Sequence, residues 1–95
     1  MTVLINDQRA ELVANILEAG SQEEVRLIID STIAFLEEYK VIEYLIVQFI
    51  NETTLQLEKF NPEEKNSQEW SNIKMALIQL RKVKLKFEAE TYYKN

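Results

Sequence analysis

A compact bundle of four α-helices is the expected fold of this chain, with helices at about 7–19, 22–38, 41–60 and 63–92. Glycine and proline occur once each, as Gly20 and Pro62, whereas all-β folds need many tight turns built on Gly, Asn-Gly or Pro. Glu, Leu, Ile, Lys and Gln dominate instead, and most of these are good helix formers. Apolar side chains also recur at spacings of three and four through most of the chain, the period of a helix with a buried face. At 95 residues, positions 1–95 read as a single helical domain.

Met1 to Ile5 is apolar and expected to be extended. Asn6 suits an N-cap, because its side-chain oxygen can accept from an orphan N–H of the first turn. Leu12, Val13, Ile16 and Leu17 then follow at helical spacing. Gly20 fits the left-handed position that closes a helix, since it carries no Cβ. Ser21 comes next, with Glu24 three residues on. That is a capping box, in which each side chain satisfies an orphan donor near the other. The second helix begins there and turns Val25, Ile28, Ile29, Thr32, Phe35 and Leu36 inward. Arg26 and Asp30 on the opposite face are four apart and can pair, a contribution of a few tenths of a kcal/mol.

Neither Gly nor Pro occurs between Gly20 and Pro62. One unbroken helix over that stretch would be about 60 Å long, while a compact domain of this length has a radius of gyration of about 12 Å. The helix therefore breaks, or the protein is elongated and dimeric. The polar stretch Glu37-Glu38-Tyr39-Lys40 is the first choice for the break, and Asn51 to Thr54 the second. The third helix carries Ile42, Ile46, Phe49, Leu57 and Phe60 on one stripe, widened by Val41, Tyr44, Leu45, Val47 and Ile50. A helix apolar nearly all round is buried on several sides, which places this one centrally or at a subunit interface.

Asn61-Pro62-Glu63-Glu64 reads as the N-cap and first turn of a last helix, and Asn66 with Glu69 offers a second start. Ile73, Ala76, Leu80, Val83 and Phe87 repeat at three and four, as coiled-coil seams do. Met75, Ile78, Leu85, Ala89 and Tyr92 form a second stripe. One stripe suffices to pack on the bundle, so the second calls for a further surface, within the fold or on another copy. An α+β alternative places strands near 41–50, 54–60 and 82–90. Val83, Leu85 and Phe87 alternate with Lys82, Lys84 and Lys86, and Val41 to Ile50 is rich in β-formers. Against it stands the lack of hairpin turn signals.

The chemistry open to the chain is bounded by what it lacks. It has no His and no Cys, which removes the commonest proton-transfer side chain, the usual nucleophile–base pairs and zinc sites. Its serines have no His partner. The clusters Glu37, Glu38, Glu43 and Glu63, Glu64, Glu69 read as solvated acidic faces and helix N-terminal charges. Calcium loops need a central Gly, and one glycine cannot build a phosphate loop. No cofactor or metal is expected, and the chain reads as non-catalytic. The apolar run Val41 to Ile50 is about half a membrane span in length and contains Glu43 and Gln48, so no span is expected. No cationic start with an apolar run and cleavage site appears, which leaves the cytoplasm as the default location.

The net charge of −5 is uneven. Residues 1–69 hold 5 basic and 14 acidic side chains, a net of −9, and residues 70–95 hold 6 and 2, a net of +4. Arg81, Lys82, Lys84 and Lys86 form a candidate basic patch. On a helix they spread around much of the circumference, and phosphate binding wants a concentrated stripe on a basic domain. The composition thus argues against nucleic acid and for pairing with the acidic body. A chain this size buries only about 60–65% of its extended surface on folding, so partner burial would help it. The expected function is a helical protein–protein interaction or regulatory module that self-associates as a homodimer. Its candidate interface residues are Tyr44, Val47, Ile50, Trp70, Ile78, Leu85 and Tyr92. Two alternatives remain at this point: an acidic inhibitor or immunity-type protein binding a basic partner, and a weak nucleic-acid binder using the basic C-terminal helix. A small apolar ligand held inside the bundle is a further option.

Overall fold

The computed structural model describes the backbone of residues 5–94 and the side chains of residues 5–90. Met1 to Leu4, expected to be extended, lie outside the described residues. Four helices follow: α1 (Ile5–Glu18), α2 (Gln22–Glu38), α3 (Glu43–Glu58) and α4 (Ser67–Lys94). A short 3-10 turn, Pro62–Glu64, separates the last two. No strand occurs among the described residues, which overturns the α+β alternative. The lysine-rich segment shows why. Val83 and Phe87, four apart, turn toward the core while Leu85 between them faces solvent. The burial period there is that of a helix, not the two-residue period of a strand. In Val41 to Ile50, Ile46, Phe49 and Ile50 are buried together at spacings of three and four.

Local capping chemistry sets the boundaries. α1 already includes Ile5, so Asn6 sits inside its first turn and is not the cap. At the start of α2 the Glu24 N–H donates to Ser21 Oγ (3.1 Å). The Glu24 carboxylate reaches past Ser21 and accepts from the Gly20 N–H (2.9 Å). Gly20 does not adopt the left-handed conformation expected of it; Lys40 does, at φ 60°. Lys40 N–H donates to Glu37 O (2.9 Å) and Val41 N–H to Leu36 O (3.0 Å), the paired bonds of a Schellman turn. The break between α2 and α3 thus falls at the polar stretch, while Asn51 to Thr54 continues α3.

The last helix starts at Ser67, not at residue 63. Asn61 Oδ1 accepts from Glu63 N–H (3.0 Å) as foreseen, but Lys65 is extended at φ −118°, ψ 139° and ends the turn. Asn66 and Glu69 then form a full capping box: Glu69 N–H donates to Asn66 Oδ1 (2.8 Å) and Asn66 N–H to Glu69 Oε1 (3.1 Å).

α4 packs against all three other helices, and α1 and α4 form the shared middle on which α2 and α3 each rest. The core joins Leu12 and Ile16 of α1, Ile29 and Leu36 of α2, Phe49 and Leu57 of α3, and Ile73 and Leu80 of α4. α3, expected centrally or at a subunit interface, is not central: it lies to one side, with Ile42 just before it and Tyr44 and Leu55 within it exposed. Three polar residues, Asn72, Thr53 and Gln79, are buried with partners. Asn72 is fully buried and its Nδ2 donates to Ala19 O (2.7 Å), tying the end of α1 to α4. Thr53 Oγ1 donates to Phe49 O (2.8 Å) within α3. Gln79 Nε2 donates to Asp30 Oδ1 (2.8 Å) and Gln22 Nε2 to Ser71 Oγ (3.2 Å), so α2 and α4 run parallel. The 28 residues of α4 span about 42 Å, which sets the longest dimension of the molecule, 44 Å.

Candidate functional site

α3 and α4 form an antiparallel hairpin whose outer side is a broad groove. At one end Tyr44 and Val47 of α3 lie beside Phe87 and Glu88 of α4. At the other, Thr54 and Glu58 lie beside Leu77 and Arg81. Ile50 is buried at the floor. Three large apolar side chains with most of their surface in water line the groove: Tyr44 (74% exposed), Leu85 (54%) and Ile78 (53%). A fourth, Leu55 (58%), stands on α3 beside the groove. On α3, Tyr44 and Leu55 are eleven residues apart, three helical turns, and share one outward face. On α4, Ile78 and Leu85 are seven apart and do the same.

Five of the seven candidate interface residues therefore come together here: Tyr44, Val47, Ile50, Ile78 and Leu85. Trp70 stays apart. It lies on the same side of α4 as Leu77, about 10 Å nearer the N-terminus, half-buried against the core with the Lys74 ammonium 5.8 Å from its ring centre. Tyr92 lies outside the residues whose side chains are described. Leu55 and Glu58 were missed by the sequence reading. The spacing 44, 48, 51, 55 is the signal that could have found Leu55.

The basic patch does not hold together in space. Arg81 and Lys84 line the α3–α4 groove, near Glu58 and Glu88. Lys82 and Lys86 line a different groove, of about 330 Å³, between α2 and α4, opposite Asp30 and Glu37. Lys84 Nζ pairs with Glu88 Oε1 at 3.8 Å. Arg81 and Glu58 share the groove without an ion-pair partner among the described residues.

Elsewhere the surface chemistry is structural. Arg9 of α1 pairs with Glu52 of α3, which also accepts from Gln48 Nε2 (3.2 Å). On exposed α2, the hydrogen bond from Arg26 lowers the pKa of Glu23, and the same bond raises that of Arg26. Arg26 also lies 3.5 Å from Asp30. Tyr39, Ile42 and Leu45 expose apolar surface around the α2–α3 turn, and Leu27 does so on α2. Tyr39 packs against Phe35 with the rings tilted at 43° and centroids 4.6 Å apart. Among the described residues no three His, Cys, Asp or Glu side chains gather as metal ligands. No described helix is long and apolar enough to cross a membrane. Comparison of the chain with known protein families, with curated proteins and with solved structures finds no match.

Proposed function

We propose that this protein is a non-catalytic protein–protein interaction module that docks through the α3–α4 face. The exposed cluster of Tyr44, Leu55, Ile78 and Leu85 on one side of a helical hairpin carries the reading. Large apolar surface grouped in this way marks binding sites on soluble domains. The groove between them is open and flanked by charged side chains, a form suited to the side chains of a protein surface and not to an enclosed small molecule.

Magnitudes say what such a partner must add. Covering the remaining exposed area of each of these side chains gains about 1 kcal/mol, so on the order of 4 kcal/mol for the four. Association costs about 4–15 kcal/mol in lost freedom. Apolar burial alone leaves binding marginal, and the charged residues along the groove must find partners too.

The test is a photo-reactive amino acid placed at Ile78, with a control at Leu27 on α2, in the cells that make the protein. Irradiation is expected to join position 78, and not position 27, to protein. No adduct at position 78 would overturn the proposal.

A further inference from the structure

We infer that the occupant of the α3–α4 face is a second copy of this chain, docked about a two-fold axis that runs along the groove. Each α3 then lies on the α4 of the other copy. The inference rests on that face being a docking surface.

Charge is what selects both the partner and the geometry. On this groove α3 contributes Glu43 and Glu58 and has no basic residue along its length. α4 contributes Arg81 and Lys84, the latter paired with Glu88 beside it. The face thus sets acidic groups on α3 beside an unpaired Arg81 on α4. Such a surface is its own complement when two copies meet, because an isologous interface presents the same patch from both sides. Two directions of the two-fold bring the faces together. An axis across the helices sets α3 on α3, so that Glu58 meets a helix with no basic residue and finds no partner of opposite charge. An axis along the groove sets Arg81 of α4 on acidic α3.

The register within the hairpin fixes who meets whom. Glu58 lies level with Leu77 and Arg81, and Tyr44 level with Phe87 and Glu88. A two-fold along the groove preserves those levels. Ile78 then meets Leu55 of the second copy, Arg81 meets Glu58 of the second copy, and each contact occurs twice. This supplies what the apolar cluster lacks: partners for Arg81 and Glu58, neither of which is ion-paired among the described residues.

Charge reversal with mixing tests it. In Arg81→Glu the new carboxylate faces Glu58 of the other copy, and in Glu58→Lys the new ammonium faces Arg81. By sedimentation, wild type is expected to be a dimer, and each variant alone is expected to dissociate at least about a hundredfold more readily. An equimolar mixture of the two variants is expected to restore dimer, because one contact becomes Lys–Glu and the other remains Arg–Glu. Both positions are exposed, and unchanged helical circular dichroism verifies the fold. A second measurement uses the absence of cysteine. Ile78→Cys mixed with Leu55→Cys is expected to give a disulfide-linked pair on oxidation, and Ile78→Cys mixed with Leu85→Cys is not.

Wild type that stays monomeric up to hundreds of micromolar overturns the inference. So does a mixture that fails to restore dimer, or an Arg81→Glu variant that binds itself more tightly. The photo-crosslinking experiment separates the two proposals: an adduct of twice the chain mass agrees with a second copy. An adduct with another protein alone keeps the interaction module and removes the second copy, and no adduct removes both.

Discussion

Replacing Asn72 should destabilise the fold more than any exposed substitution, although it touches no surface. Asn72 is fully buried; its Nδ2 donates to Ala19 O at 2.7 Å and its Oδ1 accepts from Gln68 Nε2 at 2.8 Å. Ala19 follows the last turn of α1, where helix carbonyls lack partners of their own, and it is itself buried. In Asn72→Ala the Ala19 carbonyl loses its donor in a site closed to water, at a cost of about 1–3 kcal/mol. Removing about 25 Å³ of side chain adds roughly 0.6 kcal/mol if the space does not close. The expected loss is about 2–4 kcal/mol, a large share of the roughly 5–15 kcal/mol typical of a domain. Asn72→Leu refills the volume but not the hydrogen bond, and should recover only the cavity part. Urea unfolding followed by far-UV circular dichroism reads both, with an unchanged slope as evidence that compactness is preserved. Asn72→Asp adds a pH test. An ionised carboxylate cannot donate to Ala19 O, so its folded pKa is raised above the unfolded value of about 3.9. Its relative stability is then greatest below that value and falls as pH rises through the folded pKa. A loss below about 0.5 kcal/mol in Asn72→Ala, or an Asp variant whose stability relative to wild type is greater at pH 7 than at pH 4, would refute the reasoning.

Other substitutions follow from local geometry. Lys40→Gly relieves a left-handed residue that costs about 1–2 kcal/mol, part of which is offset by the greater freedom of glycine when unfolded. The unfolding midpoint should rise, by a net of about 0.5–1 kcal/mol. Asn66→Ala removes half of the capping box that starts α4 and should cost about 1 kcal/mol in the same assay, whereas Asn61→Ala, at the 3-10 turn, should cost less. The lowered pKa of Glu23 means that its pairing with Arg26 stabilises above the unfolded carboxylate range and is lost as pH falls through the folded value. A carboxyl NMR titration should place Glu23 below 4.5, and Arg26→Gln should move it up.

What the sequence made legible was chemistry between near neighbours. Ser21 with Glu24, and Asn66 with Glu69, lie three residues apart, and both cap helices. The buried stripe of α4 was visible because Ile73, Ala76, Leu80 and Phe87 hold their spacing through the lysine-rich segment. Asn61-Pro62-Glu63-Glu64 has the same local chemistry as a helix start, and its bonds do form. The helix is stopped only by the extended Lys65, which no residue type announces. Gly20 was the natural left-handed residue, yet Lys40 takes that role because the Schellman turn is needed where α2 reverses into α3. The outward face of α3 was not legible. When apolar residues surround a helix, the neighbours that choose the buried side come from elsewhere in the chain. Asn72 reads as a polar neighbour of Trp70 in sequence, but four residues before Ala76 it falls on the buried stripe.

The way α1, α2 and α3 all depend on α4 bears on how the chain is made. α4 is synthesised after the other three described helices, and its 28 residues take roughly 1–6 s at about 5–20 residues per second. Until it emerges, Leu12, Ile29 and Phe49 lack the wall contributed by Ile73 and Leu80. The nascent chain up to Asn66 is therefore a sticky, unfinished body. During those seconds the core faces of α1, α2 and α3 stay uncovered, and a ribosome stalled before Ser67 would leave them in that condition.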